Sequence, residues 1–131
     1  MDNKFAAFSA YRTTSQYLSS GDKVKFDKTW TNNNGYYDPN TGVFTAPWEG
    51  NYHFSVVSMS VENKDLFLLL YQNNVKKAGS YVRGDGYKTG TMDVVLHLSK
   101  GDTIYVSSGT SQTIYSNDNN YSTFSGYFIS Q

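Results

Sequence analysis

The chain of 131 residues is long enough for one domain with one hydrophobic core, and 47 residues are Val, Ile, Thr, Tyr, Phe or Trp against 14 Ala, Leu or Glu. Branched and aromatic side chains favour strands and the strongest helix formers are scarce, which excludes a helical bundle and disfavours a βαβ chain. The 11 basic and 11 acidic residues balance, no apolar run is long enough to span a membrane, and Cys is absent, which argues against nucleic-acid binding, membrane insertion, disulfides and Cys-ligated zinc.

Short strand-like segments follow one another from the N-terminus, and no helix is predicted. Residues 4–12 are strand-like in content, and residues 23–27 alternate polar with apolar side chains. Turn clusters follow at 32–35 and 38–42, and we expect strands on both sides of each. The later predicted strands are 52–61, 65–71, 75–82, 89–98, 103–108 and 121–130.

This regular spacing predicts an all-β antiparallel sandwich or jelly roll. A tight hairpin loop is expected at 98–103, and an exposed loop at 116–120. No internal repeat or linker divides the chain, so residues 1–131 are interpreted as a single domain with its core in residues 4–130.

Some predicted strands are apolar on both faces, although an antiparallel sheet normally keeps one face in water. In 52–61, one face carries Tyr52, Phe54 and Val56, and the other carries Val57, Met59 and Val61. In 66–71 every side chain is apolar or aromatic. Because no helix is available to cover a second face, these side chains predict contact with another chain. The alternative is that both faces lie inside one sandwich at a bend.

Aromatic residues and glycine are spaced across the early strands in an order that is typical of one family. The matching positions are Phe26, Asn32, Tyr37, Phe44, Gly50, Tyr52 and Phe54, with Val56 where the pattern expects Phe or Tyr. Further matching motifs are Ala7-Phe8-Ser9-Ala10, Tyr37-Asp38-Pro39, Leu96-His97-Leu98, Lys100-Gly101-Asp102 and residues 121–127. On these motifs the chain resembles the globular head domain of complement component 1q and its relatives, which share a jelly roll with tumour necrosis factor.

The resemblance implies a ten-stranded antiparallel jelly roll that forms a tight homotrimer or heterotrimer through aromatic faces. It also implies a secreted, extracellular, non-enzymatic recognition domain, with a pattern-recognition or lectin-like role toward carbohydrate or microbial surface ligands in innate immunity. The alternative is a signalling ligand of a cell-surface receptor or adhesion protein, as in hormone-like and synaptic-organiser-like relatives. The chain contains no collagen-like region, and its start, Met1-Asp2-Asn3-Lys4, is no signal peptide, so a leader is either absent or replaced by an initiator Met.

The two histidines form no recognisable catalytic pattern. His53 and His97 lie in predicted strands, apart from any nucleophile elbow or metal-spaced His pair. Gly84, Gly86 and Gly90 have the wrong spacing for a dinucleotide fingerprint or a P-loop. We therefore expect no enzymatic activity, with both histidines on a sheet surface or at an interface.

Tyrosine beside Asn, Asp or Arg in loops suits sugar recognition, because the ring packs on a pyranose and the polar groups bond its hydroxyls. The candidate ligand-binding residues are Tyr81, Arg83, Asp85, Tyr87, Tyr115 and Asn117. Arg83-Gly84-Asp85 is also the tripeptide that some adhesion ligands present to integrins, and a glycine-rich turn explains the same letters. Asn120-Tyr121-Ser122 is a glycosylation sequon, which matters only in a secretory pathway.

Calcium is the one cofactor that the resemblance implies. Some members of the family bind calcium near the trimer axis through acidic residues at the two ends of the strand after the signature. The matching positions here are Asp65 and Asn73. An amide replaces one carboxylate, which lowers the affinity expected of such a site. The alternative is that Asp65 only begins a solvated strand.

Overall fold

The structure, a computed structural model, describes residues 4–131. The expectation about a leader falls largely on Met1, Asp2 and Asn3, which lie outside the described residues. The strands are β1 (Ala7–Tyr11), β2 (Gln16–Leu18), β3 (Lys28–Asn32), β4 (Tyr37–Asp38), β5 (Val43–Thr45), β6 (Gly50–Ser60), β7 (Leu66–Gln72), β8 (Val75–Val82), β9 (Thr89–Leu98), β10 (Thr103–Ser108), β11 (Gln112–Tyr115) and β12 (Thr123–Ser130), with a short 3-10 helix at Asn33–Gly35.

The strands pair antiparallel in two sheets. The seven-stranded sheet has the order β2, β11, β6, β12, β1 and β3, and β9 pairs with the opposite edge of β6. The five-stranded sheet has the order β4, β5, β10, β7 and β8. The predicted all-β antiparallel jelly roll is therefore confirmed. The described residues form twelve strands rather than ten because the count includes pieces as short as the two residues of β4.

The core between the sheets is dominated by aromatic rings. Phe8 stacks on Tyr37 with ring centroids 4.9 Å apart and on Phe44 at 5.1 Å. It meets Phe124 of its own sheet edge to face at 4.9 Å. All four residues are at most 2% exposed. Phe8 therefore joins the two sheets across the sandwich. Each such aromatic pair contributes about 0.5–1.5 kcal/mol to stability beyond the effect of the area that it buries.

The predicted strand at 23–27 is wrong, although its alternation identifies the buried residues. Val24 and Phe26 are both fully buried. The segment nevertheless forms only an isolated bridge, and the Phe26 N–H donates to the Tyr37 hydroxyl at 3.0 Å. The alternation of polar and apolar residues indicates which side chains are buried, but it does not indicate which group accepts the hydrogen bond from each backbone N–H. The strand lies instead at Lys28–Asn32.

The two early turn clusters have different roles. The cluster at 38–42 closes a hairpin in which Tyr37 of β4 lies opposite Phe44 of β5. The cluster at 32–35 connects β3 of the seven-stranded sheet to β4 of the five-stranded sheet. Here the Asn32 side chain makes two hydrogen bonds with the Tyr37 backbone. Its Nδ2 donates to the Tyr37 carbonyl at 2.7 Å, and its Oδ1 accepts from the Tyr37 N–H at 3.1 Å.

Strands β6 and β7 divide their apolar side chains between the core and an outer sheet face. Their buried residues include Tyr52, Phe54, Val56, Leu66, Leu68 and Leu70. The half-buried outward residues are Val57 and Met59 on the seven-stranded sheet, and Phe67, Leu69 and Tyr71 on the five-stranded sheet. The second apolar faces therefore lie on two separate outer surfaces and not inside a bend.

Gly126 of β12 leaves space for the core rings, so a methyl group there should destabilise the fold. An added Cβ would lie 2.5 Å from Cδ1 of Phe54 and 2.7 Å from Cε1 of Phe8. We expect Gly126→Ala to lower the free energy of unfolding by about 2 kcal/mol in urea titrations, because packed rings cannot move away.

Gly79→Ala is the matched control in β8. Its added Cβ would meet Cδ2 of Leu69 at 3.3 Å, on a half-buried side chain that can turn outward. We expect a change within about 0.5 kcal/mol. Equal losses in the two variants would contradict the role given to Gly126.

Candidate functional site

A cleft of about 820 Å³ opens at the end of the sandwich where β6 leads into β7. Residues that follow β6 and begin β7 form one side, and the connection from β10 to β11 forms the other. Tyr81, near the end of β8, also lines the cleft. The cleft therefore lies where segments of both sheets meet, and it combines aromatic with polar side chains.

The aromatic wall of the cleft consists of Phe67 and Tyr81. These residues lie opposite each other on β7 and β8, with ring centroids 5.4 Å apart. The Tyr81 hydroxyl donates to Oδ2 of Asp65 at 3.2 Å, and Nε of Arg83 lies 3.7 Å from the same oxygen. Tyr81 nevertheless remains 56% exposed. The contact with Asp65 thus fixes the hydroxyl end of the Tyr81 ring, while much of the ring surface is open to solvent.

The Gln112 side chain holds the floor of the cleft together. Its Oε1 accepts from the Phe67 N–H at 2.9 Å, and its Nε2 donates to the Phe67 carbonyl at 2.6 Å. The same Nε2 donates to Oγ of Ser108 at 2.7 Å. The Gln112 side chain thus makes with the Phe67 backbone the two hydrogen bonds that a neighbouring strand would otherwise make. No pattern in the sequence marks Gln112 for this role, because its partner is 45 residues away.

Several polar side chains of the cleft are unused within the fold. Lys64, Thr110, Ser111 and Thr113 line the cleft, and their side chains form no hydrogen bond or ion pair with residues 4–131. The sequence does not mark these residues as a site, since a run of Thr and Ser between strands indicates only a loop. Their hydroxyl and ammonium groups are available to a ligand.

A second tyrosine cluster lies on the outer side of the seven-stranded sheet. Tyr115 of β11 pairs with Met59 of β6, and its ring lies 4.8 Å from that of Tyr87 and 6.0 Å from that of Tyr121. Nδ2 of Asn117 donates to the Tyr115 hydroxyl at 3.0 Å. Desolvation and the neighbouring Tyr115 raise the pKa of Tyr87 above its ordinary value.

The six candidate ligand-binding residues therefore do not form one site. Tyr81 and Arg83 meet at Asp65 beside the cleft, whereas Tyr87, Tyr115 and Asn117 form the second cluster. The remaining candidate, Asp85, is exposed in the loop between β8 and β9.

The Arg-Gly-Asp tripeptide and the sequon both have structural partners. Arg83 is paired with Asp65, and the Gly86 N–H beside Asp85 donates to Oδ1 of Asn63 at 2.7 Å. In the sequon, the buried Ser122 hydroxyl donates to the Tyr115 carbonyl at 2.7 Å. These contacts give each motif a structural role, and its use in adhesion or glycosylation stays a prediction.

The calcium candidates lie at opposite ends of β7, roughly 25 Å apart at the usual rise of an extended strand. Asp65 contacts Tyr81 and Arg83, while Oδ1 of Asn73 accepts from the Thr103 N–H at 3.0 Å. The two residues therefore cannot hold one ion within a chain. Among the described residues, no group of three or more His, Cys, Asp or Glu side chains is arranged for a metal. Calcium binding stays a prediction.

Both histidines lie on strands of the seven-stranded sheet. His53 of β6 contacts the Asp93 carboxylate and packs against Tyr127, with ring centroids 5.2 Å apart. In His97 of β9, Nδ1 lies 3.1 Å from Oδ1 of Asn51 and Nε2 lies 3.3 Å from Oε2 of Glu49. Within residues 4–131, no serine or threonine hydroxyl bonds to either imidazole. The His53 and Asp93 pair therefore lacks an aligned nucleophile.

Comparisons with known proteins identify the family of this fold. The family model described as "C1q domain" matches residues 7–129. The chain belongs to the C1q-domain family. Among known proteins, the collagen alpha-1(X) chain of Mus musculus is 28% identical over 120 residues, which is 86% of this chain and 17% of that protein. This C1q domain thus spans less than a fifth of the length of this relative.

Solved structures show the same fold at low sequence identity. The globular domain of zebrafish complement 1qA superimposes on this C1q domain with a TM-score of 0.80 at 21% identity, covering 96% of this chain and 98% of that chain. Eiger TNF from S. frugiperda superimposes with a TM-score of 0.77 at 13% identity, covering 97% and 94%. The described part of the C1q domain has no helix of the length and apolarity needed to cross a membrane.

Asp102 stabilises the hairpin between β9 and β10, and its contribution should depend on pH. Its carboxylate accepts from the Ser99 N–H at 2.9 Å, from Nε2 of Gln72 at 3.1 Å and from Nδ2 of Asn73 at 3.2 Å. These bonds, the Ser99 bond foremost, hold the pKa of Asp102 below its ordinary value. Because the folded pKa is depressed, the stabilisation is present above about pH 4 and is lost as the pH falls through the folded pKa.

We expect Asp102→Asn to lower the free energy of unfolding by about 1 kcal/mol at pH 7, and the difference from wild type to shrink near pH 3. Urea titrations at both pH values measure this. The control is Asp118→Asn in an exposed loop, where the carboxylate has no hydrogen-bond partner in the described chain. An Asp102→Asn difference that is the same at both pH values would contradict the assignment.

Proposed function

We propose that this C1q domain is a non-enzymatic, secreted recognition domain that assembles as a trimer and binds carbohydrate on microbial or other extracellular surfaces. The observation that carries the proposal is the cleft beside Asp65, in which the exposed Tyr81 ring faces unused polar side chains. Family membership supports a recognition role, and the ligand class is inferred from the chemistry of the cleft.

The trimer is inferred from the outer face of the seven-stranded sheet. Ala7, Tyr127, His53 and Val95 lie in one cross-strand row over β1, β12, β6 and β9. Tyr127 is 49% exposed and Val95 is 56% exposed, so the row presents apolar surface to water. Burying such a row against a second copy is favourable. Family membership, and not the row itself, supports three copies in a closed ring.

Tyr127→Lys should therefore disrupt the assembly. In light scattering, wild-type protein is expected at three times the 14.7 kDa of one chain, roughly 44 kDa, and the variant near the mass of one chain. Leu69→Lys is the matched control, because it places the same charge on the outer face of the five-stranded sheet. A wild-type protein that is monomeric, or a Leu69→Lys variant that dissociates equally, would contradict the inferred interface.

The cleft has the groups that neutral sugars require. The Tyr81 ring offers an apolar surface for the C–H groups of a pyranose, and its hydroxyl is fixed by Asp65. Thr110, Ser111 and Thr113 supply hydroxyls that have no partner in the described chain. Arg83 offsets the charge of Asp65, so among the described residues the cleft has a single unpaired charge, the ammonium of Lys64, and its free hydroxyls suit an uncharged saccharide.

Tyr81→Ala tests the sugar site directly. On a glycan array with the refolded trimer, we expect saturable binding to defined neutral glycans, and titration of the best glycan should show about tenfold weaker binding to Tyr81→Ala. Val75→Ala is the matched control, since it truncates an exposed apolar residue at the other end of β8.

Silence across the array, combined with tight binding to a receptor ectodomain, would overturn the sugar assignment and favour the signalling-ligand alternative. Substrate turnover that His53→Ala or His97→Ala abolishes would overturn the non-enzymatic assignment.

A further inference from the structure

A row of lysines and tyrosines crosses the outer face of the five-stranded sheet, away from the cleft. Tyr105 of β10 and Tyr71 of β7 are cross-strand neighbours, with ring centroids 5.4 Å apart and ring planes within 6° of parallel. Lys76 of β8 lies opposite Tyr71. On the other side, Nζ of Lys23 lies 4.6 Å from the centre of the Tyr105 ring. We call Lys23, Tyr105, Tyr71 and Lys76 the lysine–tyrosine band.

The positive charge of this band is not neutralised within the fold. Neither Lys23 nor Lys76 forms an ion pair with residues 4–131, and the neighbouring Lys77, the extra residue of a bulge in β8, adds a third cation. The carboxylates that adjoin the band, Asp22 and Asp102, form no ion pair with its lysines within residues 4–131. Asp22 accepts a hydrogen bond from the Ser19 N–H, and Asp102 accepts hydrogen bonds from the Ser99 N–H and from the side-chain amides of Gln72 and Asn73.

The tyrosines form a rigid, neutral floor between the two cationic ends. The Tyr105 hydroxyl donates to Oδ1 of Asn74 at 3.3 Å. A phenol is uncharged at neutral pH, and burial together with the adjacent Tyr71 raises the pKa of Tyr105 further. The Tyr71 hydroxyl has no partner in the described chain and is free to donate to an anion.

The spacing of the cations selects an extended ligand. The band crosses four neighbouring chain segments, roughly 14 Å at the usual distance between strands. One small anion cannot contact both ends, whereas a chain with anionic groups at intervals can. A nucleic acid strand is disfavoured, because base stacking needs an open ring face. Here Tyr71 covers one face of Tyr105 and Lys23 the other.

We infer that the lysine–tyrosine band binds a sulfated polysaccharide, with its sulfate groups on Lys23 and Lys76 and its sugar rings over the tyrosine edges. This site differs from the proposed cleft in position and in ligand charge. It also lies on the other sheet from the apolar row that is inferred to contact another copy.

The test uses a heparin-derived octasaccharide as the probe in isothermal titration calorimetry. We expect the Lys23→Gln/Lys76→Gln double variant to bind it about tenfold more weakly than the wild type. Binding to the wild type should also weaken from about 50 mM to about 300 mM sodium chloride, where ionic screening strengthens. Lys28→Gln/Lys100→Gln is the matched control, which removes the same charge from exposed positions outside the band.

Four outcomes would overturn the inference. They are no binding by the wild type at low salt, an equal loss in the control variant, equal affinity for the desulfated octasaccharide, and equal affinity for a single-stranded oligonucleotide of matched charge. The failure of this site and the failure of the cleft are distinguishable, because the Lys23→Gln/Lys76→Gln variant should keep its binding to a neutral glycan.

Discussion

The aromatic packing between the two sheets is the interaction on which the rest of the structure depends. Phe8 contacts Tyr37 and Phe44 across the sandwich and Phe124 within its own sheet. Gly126 lies opposite Phe8 in β1 and is also the cross-strand partner of Phe54 in β6. The absent side chain of Gly126 leaves space for those rings, so one glycine and a few aromatic residues bring distant segments of the chain together.

Because each sheet turns one face to this core, the outward side chains are divided between surfaces of different chemistry. The seven-stranded sheet presents the apolar row of Tyr127 and Val95, which suits contact between copies of the chain. The five-stranded sheet presents stacked tyrosines between lysines. The cleft at the end of the sandwich combines the Tyr81 ring with hydroxyl groups and with the charged side chains of Lys64 and Asp65. One scaffold thus presents separate surfaces for the proposed assembly and for the two proposed kinds of ligand.

Local patterns predicted the strands well where neighbouring strands supply the hydrogen bonds. The predicted bounds 75–82, 89–98 and 103–108 coincide with β8, β9 and β10, because alternation and turn residues are properties of short segments. The prediction failed at 23–27, where the Phe26 N–H donates to the hydroxyl of Tyr37. Val24 and Phe26 are buried there as the alternation indicates, so burial was predictable and the hydrogen-bond partner was not.

The sequence by itself determined the all-β class, the family and the alternation of buried residues, and it named Tyr81 and Arg83 as candidate ligand-binding residues. Only the tertiary structure decided that these two residues meet at Asp65 while Tyr87, Tyr115 and Asn117 lie in another cluster. The physical reason is that side-chain neighbours in a sandwich are set by strand order and register. These join residues far apart in the chain, as in the row of Lys23, Tyr105 and Tyr71, and no local pattern encodes them.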